Sequence, residues 1–269
     1  MSVEIYLSSA CLWNTKLADI IAFASRAGFA GVEVWTNQLH DRGCAIELRN
    51  QAHKLGLSII AHAASWDLNL CAINGAIREL SVIETKRSIS IARDMGATAI
   101  TVHPGRCGAP VVKIAEYRKM LCNSLLEICK FAWQMDVTPS LELMEKIPKE
   151  FVINPEEINN LLESIAPVSC GITLDAAHLD SAEMFFEYFK AMPLVDKVHL
   201  SNRRGDKLHL PVFEGDIDTA SVVRYLSVMD LPVVVEGNDM CREDLMSILR
   251  QIQKIKKYPQ DECYSESTA

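Results

Sequence analysis

The sequence predicts an α/β protein folded as a single (β/α)8 TIM barrel, and three observations carry that expectation. Short β-branched runs alternate with amphipathic helical stretches from one end of the chain to the other, the pattern of parallel strands joined by crossover helices. Glycine ends a helix just before the next strand at AGF (27–29), LGL (55–57) and MGA (95–97). The length, 269 residues, is that of one closed barrel and calls for no second core.

Taken in order, the strands are expected at residues 4–9 (EIYLSS), 31–35 (GVEVW), 58–63 (SIIAHA), 99–103 (AITVH), 138–144 (TPSLELM), 170–175 (CGITLD), 197–201 (KVHLS) and 232–237 (PVVVEG). Each is a short run rich in Val, Ile, Leu or Thr, the composition of strands covered on both faces. Helical periodicity fills the intervals at 17–27, 77–95, 116–135, 155–165, 181–192, 219–229 and 242–255. No linker, low-complexity block or repeat beyond the βα period interrupts this order. The barrel is therefore expected over residues 1–257, and the polar, aperiodic segment YPQDECYSESTA at 258–269 is expected to be a flexible tail.

Composition narrows the function classes. With 49% apolar and 23% charged residues the chain has the make-up of a globular protein with a large core. No apolar run is long enough to span a bilayer, and MSVEIYLSSACLWNTK reads as a first strand without a basic n-region or cleavage site, so a cytoplasmic location without membrane contact is expected. Nine cysteines form no CxxC pair, which points to buried thiols in a reducing compartment. A net charge of −8 disfavours broad polyanion binding such as nucleic acid, while a local basic patch could still hold one phosphate. Self-association is left open.

The polar residues at strand ends carry the functional argument. Five of the seven histidines, His62, His103, His178, His199 and His209, fall at the C-terminal end of an expected strand or just after it. In a parallel barrel those ends converge on one rim, where active sites are built. Glu142 in SLELM, Asp175 in GITLDAAH and Glu236 in VVVEGN share that register, and an unpaired charge so placed would be costly to desolvate. A metal site accounts for this convergence, and imidazole with carboxylate suits Zn2+, Mn2+, Fe2+ or Co2+, with Mg2+ also open. His40 and His53 read as surface residues. Glu33 reads either as a barrel-lining group or as half of a structural ion pair. Asp67, Glu145, Glu214 and Asp216 read as solvated or loop-capping, and Trp35 and Trp66 as core or pocket wall. Arg106, Arg203, Arg204 and Lys207 form a rim-borne basic group, either solvated or clamping an anion or substrate hydroxyl.

In this setting the chain resembles the xylose isomerase-like TIM-barrel superfamily, which includes sugar epimerases and isomerases, dehydratases and endonuclease IV. The resemblance covers all eight units, and its carriers are GFAGVEVW (28–35), HAASWDLNL (62–70), HPG (103–105), LELM (141–144), LDAAHL (174–179), VHLSN (198–202), HLPVFEGDID (209–218) and VVVEGN (233–238). The ketose 3-epimerase branch implies one metal held by Glu142, Asp175, His199 and Glu236, with the two glutamates also exchanging protons with substrate. It implies substrate contacts from His178 and from Arg203 or Arg204, and His62, His103, His209 and Trp66 join the candidate substrate-binding set. The endonuclease IV branch implies a trinuclear zinc cluster that recruits His62, His103, His178 and His209. Against that branch, Asp206 and His209 stand one residue too far apart for its Asp-x-His motif, and Trp66 is one place from its DNA-inserting aromatic. The expected activity is a divalent-metal-dependent isomerase or epimerase acting on a small sugar, keto-polyol or sugar phosphate by proton abstraction beside a metal-bound carbonyl. The alternatives are a zinc phosphodiesterase acting on abasic DNA, or a dehydratase of the same superfamily.

Overall fold

The computed structural model of the chain describes residues 3–39, 42–238 and 240–257. His40, the tail at 258–269 and Cys263 within it lie outside the described residues. Eight parallel strands close into a barrel: β1 (Glu4–Ser8), β2 (Gly31–Trp35), β3 (Ser58–His62), β4 (Ala99–Val102), β5 (Thr138–Leu143), β6 (Gly171–Asp175), β7 (Val195–Leu200) and β10 (Pro232–Val235). Closure is made by β1 against β10, with Leu7 paired to Val235. Among the described residues the eight α-helices are α1 (Leu17–Ala27), α2 (Arg42–Lys54), α3 (Gly75–Asp94), α4 (Ile114–Gln134), α5 (Pro155–Ile165), α6 (Ala182–Ala191), α7 (Thr219–Leu226) and α8 (Arg242–Lys257). No helix among the described residues is long and apolar enough to cross a membrane.

Local chemistry explains the helix boundaries. Asn74, Asn154, Ser181 and Asp218 each accept a main-chain N–H at the start of α3, α5, α6 and α7, and Gly28 ends α1 at φ 93°. Helix α2 ends just before the LGL turn as expected, but its bounds did not follow from its pattern. Helix α2 buries the short stripe Ala45, Leu48 and Ala52 in an otherwise polar segment, so its periodicity is weak. The expected loop after β7 holds an antiparallel hairpin, β8 (Asn202–Arg204) with β9 (Lys207–Leu210). Its anchor is the buried Asn202 side chain, whose Nδ2 donates to the carbonyls of Val212 and Ile217 and whose Oδ1 accepts from the main-chain N–H of Arg203 and Ile217.

Alternation along each strand divides the side chains into two cores. Outward residues such as Leu7, Val34, Ile100, Leu141, Leu174 and Val198 pack beneath the helices. Inside the barrel, Tyr6, Ile60 and Val234 form an apolar layer, with Ala99 packed on it. That layer requires Gly31, because a Cβ there would lie 2.2 Å from Tyr6 Cε1 and 2.5 Å from the Ser58 carbonyl oxygen. Above it the interior turns polar. Lys197 Nζ donates to Glu33 Oε1 at 2.9 Å, Thr101 Oγ1 donates to the same oxygen at 3.2 Å, and Thr173 hydrogen-bonds to both Thr101 and Ser140. Higher still, at the strand C-termini, sit the histidines and carboxylates.

Candidate metal centre and its cavity

Glu142 ends the inward face of β5, Asp175 that of β6 and His199 that of β7, while Glu236 follows directly on β10. Each of these four buried residues offers one ligand atom within 4.8 Å of the other three. His199 Nδ1 lies 3.0 Å from Glu236 Oε2 and 3.5 Å from Glu142 Oε1. Glu142 Oε2, Asp175 Oδ2 and His199 Nδ1 are buried and make no well-aligned hydrogen bond, their neighbours being the other charged groups of the cluster. Buried oxygen and nitrogen atoms without aligned hydrogen bonds are costly unless a cation fills the gap. The set of three carboxylates and one imidazole therefore fits a divalent metal with N/O preference.

Two further donor groups flank this quartet. His62 and His103 converge on Glu142, with His103 Nε2 2.8 Å and His62 Nε2 3.5 Å from its Oε2. His178 and His209 converge on Asp175, at 3.5 and 3.6 Å from its Oδ2. His209 reaches it because the β8–β9 hairpin, with the His209 backbone at φ 57°, packs against the turn 176–178 that follows β6. Main-chain carbonyls orient two of these rings: His62 Nδ1 donates to Ala63 and His178 Nδ1 to Leu143, which turns each Nε2 toward the carboxylates.

Without a cation the charges are strongly coupled. Burial opposes ionisation of Glu142 and Glu236, yet His103, His199 and His62 hold Glu142 well below the usual carboxylate range, and His199 and His209 lower Glu236. Burial dominates at Asp175 and raises it despite His178 and His209. Burial also works against protonation of His178, but Asp175, Glu142 and Glu145 outweigh it and carry the ring to about 9. His199 is driven well above its ordinary value, burial being outweighed by Glu236 and Glu33.

A cavity of about 1010 Å³ opens over this cluster. Glu142, Glu236, His62, His103, His178 and His209 line it, whereas Asp175 and His199, both 0% exposed, lie behind that lining. Trp66 and Trp35 are cavity wall, with Trp35 stacked on His62 at a 3.7 Å centroid distance. Trp13, which the sequence reading did not single out, extends that wall by packing against Trp66 at 4.5 Å. Its signal was its place just after the first strand.

Several sequence expectations need correction. Glu145 is not a solvated residue: it is 9% exposed, lies 3.6 Å from His178 through Oε2 and lines the cavity. Arg203 and Arg204 do not line the cavity. Arg203 donates to Asp180, Leu179 and Gly205 on the outer side of the hairpin, and Arg204 points to Asp216. The hairpin, unseen in sequence, turns both away. Arg106 does line the cavity, but it is paired with buried Glu150 at 2.6 Å. Asp216 caps the hairpin turn through the Gly205 N–H, and His53 is exposed. Glu33 is both things the sequence left open, a barrel-lining residue and half of an ion pair with Lys197. Cys11, Cys71, Cys129 and Cys170 are buried free thiols, and burial pushes Cys71 up to about 12.

This architecture agrees with the sequence comparison, in which residues 21–258 match the xylose isomerase-like TIM barrel family. The chain belongs to that family. Within reach of its sequence is the uncharacterized protein MJ1311 of Methanocaldococcus jannaschii, 27% identical over 189 residues, a match covering 67% of this chain and 63% of that protein. The chain thus matches less than two thirds of that relative's length. Among solved structures, a D-tagatose 3-epimerase-like protein superposes with a TM-score of 0.79 at 23% identity, covering 95% of this chain and 98% of the other. The probable 3-DHS dehydratase AsbF of Bacillus anthracis superposes with a TM-score of 0.74 at 18% identity, over 93% and 99%. At these identities the structures speak for the shared xylose isomerase-like fold.

Proposed function

We propose that this xylose isomerase-like barrel is a divalent-metal-dependent isomerase or epimerase of a small polyhydroxy carbonyl compound. Glu142, Asp175, His199 and Glu236 would hold the ion, which when bound supplies Lewis-acid polarisation of substrate carbonyl and hydroxyl oxygens. One observation carries the reading: of these four residues only the two glutamates line the cavity, so a substrate can touch them and cannot touch Asp175 or His199. Glu142 and Glu236 come from β5 and β10, which β6 and β7 separate around the barrel, so their carboxylates approach a bound carbon from different directions. One removes a proton beside the carbonyl and the other returns it. His62, His103, His178 and His209 supply hydrogen bonds to substrate oxygens, and the Trp35, Trp66 and Trp13 wall excludes water. A dehydratase would begin with the same abstraction and then expel a β-hydroxyl.

A second reading, a zinc phosphodiesterase acting on abasic DNA, is favoured by the two flanking donor groups, because His62, His103 and Glu142, and Asp175, His178 and His209, could each hold a further ion. The charge of the cavity argues against it. Among the described lining residues Arg106 is the one arginine or lysine, and Glu150 neutralises it, while Glu142, Glu145, Glu236 and Asp67 add negative charge. The test is the metal-loaded protein in D2O with a panel of ketoses, keto-inositols and their phosphates, beside an abasic-site duplex. Deuterium entering a substrate C–H supports the proposal; strand incision that scales with zinc content, without exchange anywhere in the panel, overturns it in favour of hydrolysis.

A further inference from the structure

The ion pair beneath the quartet is unusual for its position. A barrel interior is ordinarily filled by layers of branched apolar side chains, and a buried ion pair seldom gains more than its desolvation costs. Here Glu33 and Lys197 are 0% and 1% exposed in the middle of that interior. The stability of the barrel gives no reason to prefer them to two apolar residues of similar volume, so what they contact has to supply one.

They contact His199. Its Nε2 lies 3.0 Å from Glu33 Oε2 and 3.3 Å from Oε1. Every other polar neighbour of that carboxylate is a donor: Lys197 Nζ at 2.9 Å and Thr101 Oγ1 at 3.2 Å. An ionised carboxylate can only accept, so the imidazole must present Nε2–H to Glu33. That leaves Nδ1 as the nitrogen facing Glu236 Oε2 at 3.0 Å and Glu142 Oε1 at 3.5 Å, separations of neighbouring ligands around one ion with bonds of about 2.1 Å. His62 and His178 are oriented by main-chain carbonyls, an anchor no substitution removes. The anchor of His199 is a side chain from a strand on the far side of the barrel, 166 residues away.

We infer that Glu33, held in place by Lys197 and Thr101, is a positioning residue that fixes the His199 ring with Nδ1 directed into the metal quartet. The inference rests on the quartet being a metal site. Glu33 touches neither the cavity nor the ion; it acts through His199 by setting which nitrogen carries the proton and by locking the ring plane. Carboxylate partners of this kind typically matter by 10–100-fold in metal affinity.

The test is Co2+ binding by calorimetry to chelator-stripped protein, together with 15N spectra of histidine-labelled, Zn2+-loaded protein. Because E33L alone strands the buried Lys197 ammonium and could fail to fold, the decisive variant is E33L/K197M, which removes both charges and the acceptor for His199 at nearly the same volume; circular dichroism melting reports its fold. The expected result is a folded double variant that binds Co2+ about 10–100-fold more weakly than the unsubstituted protein, with His199 bound to Zn2+ through Nδ1 in the latter. A folded double variant whose affinity stays within about threefold overturns the inference, as does Zn2+ coordination through Nε2 in the unsubstituted protein. If the unsubstituted protein takes up no Co2+ or Zn2+ at all, the metal reading itself fails and the inference falls with it.

Discussion

If Glu142 and Glu236 are both ligand and base while Asp175 is ligand alone, neutral isosteres at the two kinds of position must respond differently to added metal. Glu236→Gln removes a carboxylate that lines the cavity and that His199 Nδ1 approaches at 3.0 Å. The amide oxygen still faces His199, so the variant stays folded and binds metal, but no base remains at that position. Loss of a positioned general base lowers the rate by about 10²–10⁴, or about 3–5 kcal/mol of barrier, and excess metal does not restore it. Asp175→Asn acts elsewhere. Asp175 is fully buried; its Oδ1 accepts the Ala177 N–H at 2.8 Å, and its Oδ2, without a hydrogen bond, faces the quartet and the rings of His178 and His209. The amide keeps the first bond and weakens the second contact, so exchange falls at limiting metal and recovers to within about tenfold of the unsubstituted rate at saturation. The assay is deuterium incorporation into substrate, read by mass spectrometry across a metal titration for both variants. Recovery of Glu236→Gln at saturating metal, or failure of Asp175→Asn to recover, would refute the division of labour.

Three other outcomes follow from the same geometry. His103→Ala, which removes the ring 2.8 Å from Glu142 Oε2, should leave one tightly held ion per chain if His103 serves substrate; elemental analysis showing the loss of a second ion would assign it to metal instead. In metal-free protein the His178 value of about 9 lies above its unfolded value of 6.5, so its contribution to stability is fully present below about pH 6.5 and is lost as pH rises through 9. The melting temperature in EDTA should therefore fall between pH 7 and 10 more steeply than that of His178→Gln, and equal slopes would remove the assignment. Gly31→Ala places a Cβ 2.2 Å from the Tyr6 ring and 2.5 Å from the Ser58 carbonyl, which should cost about 1–3 kcal/mol in urea unfolding, and an unchanged midpoint would show that the lower barrel layer is slack.

All eight barrel strands and seven of the eight helices were expected within a few residues, and α2 by its closing glycine alone, because a strand buried on both faces and a helix with one apolar stripe carry their periods locally. The register placing Glu142, Asp175, His199 and Glu236 at strand ends was legible for the same reason: alternation along a strand decides which side chains point inward, and barrel closure requires the strand ends to share a rim. Local order could not decide what depends on chain segments meeting. Glu145 looked solvated because only the fold of the β5 loop over His178 buries it. Arg203 and Arg204 looked like clamps until a hairpin held by Asn202 turned them outward and brought His209 onto Asp175. The Glu33–Lys197 pair joins residues 164 apart, and its contact with His199 exists only across the closed interior. Sequence thus determined which residues face the axis, since that follows from covalent geometry and period; tertiary structure decided which of them touch, since that follows from strand stagger and from loops whose conformation is set by packing.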